Sequence, residues 1–225
     1  MQFIRPVKFI LSVVLCCSCF LLSGCNKPAQ TEQFNDLSFD GLSKEKPIKI
    51  DKERQTMTIL AVVNGEFFTK GTRHGIVSFD GSNARKAIFM GLVPTKDFYD
   101  GLIQIKANPG NNMNASNAAE THVTGDTLSM SVNWQGAERA YDVNEVVLDN
   151  NKKNIELHFG GNLKAAEEKK TGCLVCLDSC PVGIVSNNAY TYGAVEKRNE
   201  VSFLGNSKIL PPDNTLVAIT FSLKK

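Results

Sequence analysis

The stretch DTLSMSVNW, residues 126–134, alternates apolar and polar side chains with a period of two. The same alternation runs through NIELHFG, residues 154–160, and TLVAITFSLKK, residues 215–225. A period of two places every second side chain on one face of an extended strand, so that one face is buried and the other is wet. These three stretches predict strands, and they decide the fold class.

Turn-forming pairs such as Asn64-Gly65 and Asp80-Gly81 separate the other candidate strands. Helical signal is weak, and its best candidate is NLKAAEEKK, residues 162–170. The segment 141–159 reads as a β-hairpin that turns at DNNKKN, residues 149–154. Many short strands separated by such turns predict an all-β domain over residues 47–225. We expect an antiparallel β-sandwich of the Ig-like or jelly-roll-like kind.

The N-terminal segment MQFIRPVKFILSVVLCCSCFLLSGC has the layout of a secretory signal peptide. Arg5 and Lys8 form a positive head, and an almost wholly apolar stretch follows from residue 9 to residue 22. The final residues, Leu22-Ser23-Gly24-Cys25, resemble the lipobox of bacterial lipoproteins. That resemblance implies cleavage before Cys25 and lipidation of its thiol, so that acyl chains hold the protein at a membrane.

These features predict three segments: a signal peptide over residues 1–24, a flexible lipidated tether over residues 25–46 and the β domain over residues 47–225. The predicted location is the bacterial cell envelope. Asn26, rather than an aspartate, follows the lipidated cysteine. By the sorting rule of enteric lipoproteins, this favours the outer membrane.

The charge of the mature chain argues against nucleic acid as a partner. Processing leaves 225 − 24 = 201 residues, and it lowers Lys+Arg to 25 − 2 = 23 against 23 Asp+Glu. Phosphate backbones are bound by net basic surfaces, and this chain is formally neutral. The expected partners are the membrane, through the lipid, and a protein of the envelope.

Three cysteines remain in the mature chain once the signal peptide and the lipidated Cys25 are set aside. Cys173, Cys176 and Cys180 lie in GCLVCLDSCPVG, residues 172–183. In an oxidising compartment we expect a structural disulfide, either Cys176–Cys180 or Cys173–Cys180, with one thiol left over. The alternative is a metal site formed by the three thiolates with His158 as the fourth ligand.

No local catalytic signature occurs in the sequence, so we expect no enzyme activity and no cofactor. Binding candidates are Asn112 and Asn114, in a long polar loop, and Tyr190 and Tyr192, which share a face if their segment is extended.

The leading hypothesis is therefore a lipid-anchored binding lipoprotein, either an immunity-type protein or an accessory subunit of an envelope assembly. The rival is an envelope enzyme that uses a metal or thiols at Cys173, Cys176 and Cys180. Beyond the lipobox, the residues of the mature domain indicate no family.

Overall fold

A computed structural model of the protein describes residues 1–2 and 38–224. The predicted signal peptide beyond its first two residues, the lipidation site Cys25 and the first part of the tether lie outside the described residues. Within the described residues, no helix has the length and apolar character needed to cross a membrane.

The described part of the chain contains fourteen short strands. They are β1 Ser38–Phe39, β2 Leu42–Ser43, β3 Ile48–Asp51, β4 Thr56–Val63, β5 His74–Ser78, β6 Ala87–Gly91, β7 Thr127–Asn133, β8 Tyr141–Asp142, β9 Val147–Asp149, β10 Leu157–Phe159, β11 Cys173–Cys176, β12 Val185–Asn187, β13 Phe203–Gly205 and β14 Leu216–Leu223. The α-helices are α1 Thr95–Gln104, α2 Val143–Val146 and α3 Leu163–Lys169.

Eight strands close into a barrel, in the order β10-β12-β11-β5-β6-β4-β14-β7. The closure is the pairing of β7 with β10, where Leu157 lies opposite Leu128 and His158 lies opposite Thr127. Strands β3 and β8 add to this sheet at β4 and β7. The prediction of an all-β fold is confirmed, and the prediction of a sandwich is wrong, because one sheet closes on itself instead of two sheets packing face to face.

Two pairings also depart from the predicted antiparallel arrangement. Strands β5 and β6 are parallel, as are β11 and β12. Each pair is joined by a connection that crosses over outside the sheet, at residues 79–86 and 177–184. The predicted hairpin at 149–154 does not form either, since β9 pairs with β13 while β10 pairs with β7 and β12.

Alternation along β4 shows how the wall of the barrel is buried on both sides. Met57, Ile59 and Ala61 belong to the main core, whereas Leu60 and Val62 belong to a second apolar cluster. The β1–β2 hairpin covers that second cluster with Leu42, which is fully buried, and Phe39. The last part of the predicted tether, residues 38–46, therefore packs onto the domain.

The helices are few, and one of them was predicted. Helix α3 occupies the segment 162–170 that carried the best helical signal. Helix α1 was not predicted, and it buries Phe98 and Leu102 in the main core. Its sequence, TKDFYDGLIQ, contains a glycine and two aromatic residues, which weaken a helical pattern.

The rings of Phe98 and Phe221 join α1 to the barrel wall edge to face, with centroids 5.2 Å apart. We expect Phe221→Ala to lower the free energy of unfolding by about 3–5 kcal/mol, because it leaves a cavity in the main core. Phe79→Ala is the control, since Phe79 is 37% exposed. Urea denaturation of both variants checks this, and equal losses would contradict the assignment of Phe221 to the core.

Candidate functional site

The three cysteines lie in one buried cluster, which we call the thiol cluster: Cys173, Cys176, Cys180, Val77 and Ala87. The cysteines are 0–1% exposed. Ile76 and Val77 are neighbours on β5, and they belong to the main core and to the thiol cluster respectively. Since successive strand residues point to opposite faces, the thiol cluster lies on the outer face of the barrel wall.

An irregularity in β11 brings two of the thiols to the same face. Residues three apart in a regular strand point to opposite faces. The register with β5 shifts between Cys173 and Val175 and again between Val175 and Cys176. Leu174 and Val175 consequently both enter the main core, while the two flanking cysteines both face outward into the thiol cluster.

The register of β5 against β11 supplies a histidine to this cluster. His74 lies opposite Cys176 in the pairing, and its Nδ1 is 3.6 Å from the Sγ of Cys173. The ligand atoms of His74, Cys173 and Cys176 all lie within 4.8 Å of one another. This histidine is 6% exposed. Imidazole and thiolate are the ligands that zinc prefers.

The third cysteine comes from the connection between β11 and β12. The thiol of Cys180 lies near enough to that of Cys176 for each to shift the pKa of the other. Gly183 leaves room beside them, because a Cβ there would lie 2.9 Å from both the Sγ of Cys176 and the Oγ of Ser186. The hydroxyl of Ser186 is buried and has no hydrogen-bond partner in the described part of the chain. The space beside Gly183 is therefore bordered by the Sγ of Cys176 and by the hydroxyl of Ser186, which is free to form a hydrogen bond.

A buried ion pair fixes the connection over the cluster. Arg73 donates from Nε to Oδ1 of Asp178 over 3.1 Å, and its Nη2 donates to the same oxygen. The other oxygen, Oδ2, accepts from the backbone N–H of Gly193 over 2.9 Å. The guanidinium also lies 4.5 Å from the ring centroid of Tyr192. These contacts join β5, the 177–184 connection and the segment after β12 around the thiols.

The surroundings shift the pKa values of the three thiols in different directions. Hydrogen bonding from Cys176, followed by that of His74, lowers the pKa of Cys173 against the opposing effect of burial. Hydrogen bonding from Cys176 and the positive charge of Arg73 lower the pKa of Cys180. Hydrogen bonds to these two neighbours, together with burial, raise the pKa of Cys176. The surroundings therefore favour the thiolate form at Cys173 and Cys180 relative to Cys176.

The same charges act on Arg73. Burial opposes its charge, but the thiols of Cys180 and Cys176 and the carboxylate of Asp178 outweigh burial and raise its pKa. The guanidinium therefore stays charged and offsets part of the negative charge of the cluster.

Three of the four predicted metal ligands lie together in the structure. The structure brings Cys173, Cys176 and Cys180 together as free thiols, but His158 does not join them. The Nδ1 of His158 hydrogen-bonds to the carbonyl of Gly125 over 2.9 Å. His74 takes the position that was predicted for His158. No local signal marks His74, because it meets Cys173 only through the pairing of two strands that are 99 residues apart.

The predicted binding residues serve the domain's own structure. Asn112 donates to the carbonyl of His122, and Asn114 accepts from the N–H groups of two following loop residues. Tyr190 is buried, and its hydroxyl donates to Asp149 over 2.7 Å. Burial and that carboxylate raise the pKa of Tyr190 to about 12. Tyr192 packs against the thiol cluster. Asn114 is exposed and Asn112 and Tyr192 are half-buried, so binding at these three residues stays a prediction.

The buried Arg73–Asp178 pair should matter far more for stability than a surface pair. We expect Asp178→Ala to lower the free energy of unfolding by about 3–5 kcal/mol, because it leaves the guanidinium buried and unpaired. Asp100→Ala, which removes the exposed partner of Lys96, should cost less than about 1 kcal/mol. Denaturant unfolding of the two variants compares them directly. A loss at Asp178 no greater than at Asp100 would show that the pair does not hold the connection.

Most of the chain is similar to a known protein family. The model of the YdjY domain matches residues 48–222. A protein of Escherichia coli (strain K12) named "Uncharacterized protein YdjY" is 55% identical over 202 residues, which cover 90% of this chain and 89% of that protein. No solved structure matches the chain. The match over the mature domain corrects the expectation that it indicates no family: the chain belongs to the YdjY family.

Proposed function

We propose that this protein is a lipid-anchored metal-binding lipoprotein of the bacterial envelope, which holds one Zn²⁺ ion on His74, Cys173 and Cys176. The observation that carries the proposal is the convergence of these three ligand atoms to within 4.8 Å of one another. Cys180 lies outside this group of three but in the same buried cluster, and it is the candidate for the fourth ligand. This set gives the Cys₃His combination that zinc accepts.

One separation between ligand atoms is compatible with a tetrahedral ion. Zinc bonds of about 2.3 Å to sulfur and about 2.0 Å to nitrogen place the two ligand atoms about 3.5 Å apart in tetrahedral geometry. The observed separation of Cys173 Sγ from His74 Nδ1 is 3.6 Å. A [4Fe–4S] cluster would hold its cysteines around a much larger inorganic core, so the spacing supports a single ion.

The burial of the site supports a closed centre that binds metal without catalysing a reaction. Structural zinc sites have four protein ligands, whereas catalytic sites keep one position open for water or substrate. The three thiols are 0–1% exposed. The cavity beside His74 has none of the three cysteines in its wall. A substrate in that cavity would meet the imidazole and not the sulfur atoms.

At the proposed location, metal binding would protect the thiols from oxidation. An oxidising compartment converts neighbouring free thiols to disulfides. Bound zinc would hold the three cysteines as ligands and protect them, and Arg73 would offset the surplus negative charge of three thiolates on one divalent ion. We also propose that the lipid on Cys25 holds the domain at the outer membrane, where its partner is another envelope protein.

A thiol redox role is the second candidate. Cys173 and Cys176 form a C-x-x-C pair, and the pKa of Cys173 is lowered by hydrogen bonds from Cys176 and His74. Low-pKa thiols in such pairs exchange disulfides when a partner reaches them. The burial of the pair opposes this role, because a second disulfide needs access to the attacking sulfur.

Zinc binding is tested by comparing two histidine variants. We expect the mature protein to take up one equivalent of Zn²⁺, measured by native mass spectrometry without reductant. We expect His74→Ala to weaken binding by at least the roughly 10–100-fold that loss of an outer-shell partner costs. His158→Ala should bind as the parent does. Circular dichroism confirms that both variants are folded.

Three results would count against a zinc centre. A mass two hydrogens light, with no metal, would favour the disulfide or redox role. Binding that is equal in both histidine variants would show that His74 is not a ligand. Two or more ions bound with similar affinity would indicate adventitious association with surface groups.

The lipid anchor is tested with cysteines from the same precursor. We expect Cys25→Ser to move the protein from the membrane fraction to the soluble periplasmic fraction or to leave its precursor uncleaved, because only Cys25 occupies the lipobox position. Cys19→Ser, within the apolar part of the signal, should leave the membrane association unchanged. Fractionation with detection of the mature chain measures both. A membrane-bound, cleaved Cys25→Ser variant would contradict lipid anchoring at this residue.

A further inference from the structure

The imidazole of His74 has two nitrogens, and the thiol cluster uses only one of them. Nδ1 faces Cys173. Nε2 has no hydrogen-bond partner among the described residues. A histidine that binds metal through one nitrogen almost always donates its other N–H to a carboxylate, a carbonyl or water, and that partner orients the ring and strengthens the ligand. If His74 binds zinc as proposed above, the described part of the chain does not supply this outer-shell partner.

A recess opens beside this histidine. It has a volume of about 270 Å³, and its walls include Arg73, His74, Arg85 and Lys86. We call it the His74 recess. Its size suits a small molecule, being close to the lower end of the range for ligand pockets, roughly 300 Å³.

Arg73 brings a second nitrogen donor to the His74 recess. Its Nε and Nη2 both donate to Oδ1 of Asp178. Its Nη1 has no hydrogen-bond acceptor in the described chain and is not among the fully buried atoms without a partner, so it retains some contact with solvent. A buried guanidinium presents its donors in a fixed fork that matches carboxylate and phosphate oxygens. Arg73 and His74 thus line one cavity, each with an unused nitrogen.

The remaining charges of the His74 recess favour an anion. Lys70 also lines it but is paired with Glu66 over 2.7 Å. Arg85 and Lys86 have no ion pair within the described residues. The wall also contains Glu196, which has no ion pair among those residues either. Two unpaired cations against one carboxylate leave an excess of positive charge.

We propose that the His74 recess binds a small carboxylate or phosphate, which accepts hydrogen bonds from Nε2 of His74 and Nη1 of Arg73. The anion is the missing outer-shell partner of the metal-bound histidine, so the inference rests on the proposed zinc site. Binding of the anion orients the imidazole and increases its basicity, and it thereby slows the loss of zinc. The recess is consequently a ligand-dependent control on metal retention.

The test uses zinc-loaded protein and two probes of similar size. Release of Zn²⁺ to a competing chelator is timed with increasing acetate, or with acetamide as its neutral counterpart, at constant ionic strength. Saturating acetate should slow release about 10-fold, the lower end of the outer-shell effect, and acetamide should leave it unchanged. The double variant Arg85→Gln/Lys86→Gln should need more acetate for the same effect. Lys208→Gln, outside the recess, is the matched control.

Equal effects of acetate and acetamide, or an acetate response that the double variant shares with the Lys208→Gln control, would overturn the inference while leaving zinc binding intact. If the protein takes up no zinc, the proposed function fails, and the recess is then tested separately on metal-free protein. Acetate titrated into ¹⁵N-labelled protein should shift the side-chain signals of His74 and Arg73 saturably. Unmoved signals would overturn the anion site.

Discussion

The candidate metal site depends on the irregular pairing of β11 with β5. A regular strand would point Cys173 and Cys176 to opposite faces, with one thiol in the main core and the other outside. The two register shifts around Val175 turn both thiols outward, and they send Leu174 and Val175 together into the core. The same pairing places His74 opposite Cys176. Backbone geometry thus brings the side chains of the proposed site together.

The barrel makes this arrangement possible because it leaves an outer face to be covered. The parallel pairing of β11 with β12 requires a connection outside the sheet, and that connection carries Asp178 and Cys180 over the thiols. The ion pair of Asp178 with Arg73 fixes the connection at β5, next to His74. Because the pair is buried, losing one partner is strongly destabilising. Arg73 also places a positive charge beside the sulfur atoms. The cover of the site and its electrostatic balance therefore come from the same two residues.

The sequence predicted the strands much better than their arrangement. Alternation in residues 126–134 and 215–225 corresponds to β7 and β14, which pair with each other. Alternation cannot distinguish a sandwich from a barrel, because both bury one face of each strand. Closure depends on β10, a strand of three residues that pairs with β7 at two positions. The hairpin expected at 149–154 failed for a related reason, since the partners of β9 and β10 are distant in sequence.

The site was half visible in the sequence. Close spacing in residues 172–183 identified the three cysteines, and the metal alternative named them as ligands. The choice of His158 rested on its nearness in sequence, whereas His74 reaches Cys173 across 99 residues through strand pairing. Arg73 and Asp178 carried no signal, because a buried ion pair is formed by two residues that are ordinary in their local context. Of the two tyrosines predicted for recognition, Tyr190 is buried and Tyr192 is half-buried against Arg73.

The most direct test of the central claim is X-ray absorption at the zinc edge, on protein purified from the cells that produce it without added metal. The account predicts about one zinc per chain, with a first shell of sulfur at about 2.3 Å and a single imidazole nitrogen at about 2.0 Å. A shell of oxygen and nitrogen alone, or protein that carries no zinc and has its cysteines oxidised, would contradict it.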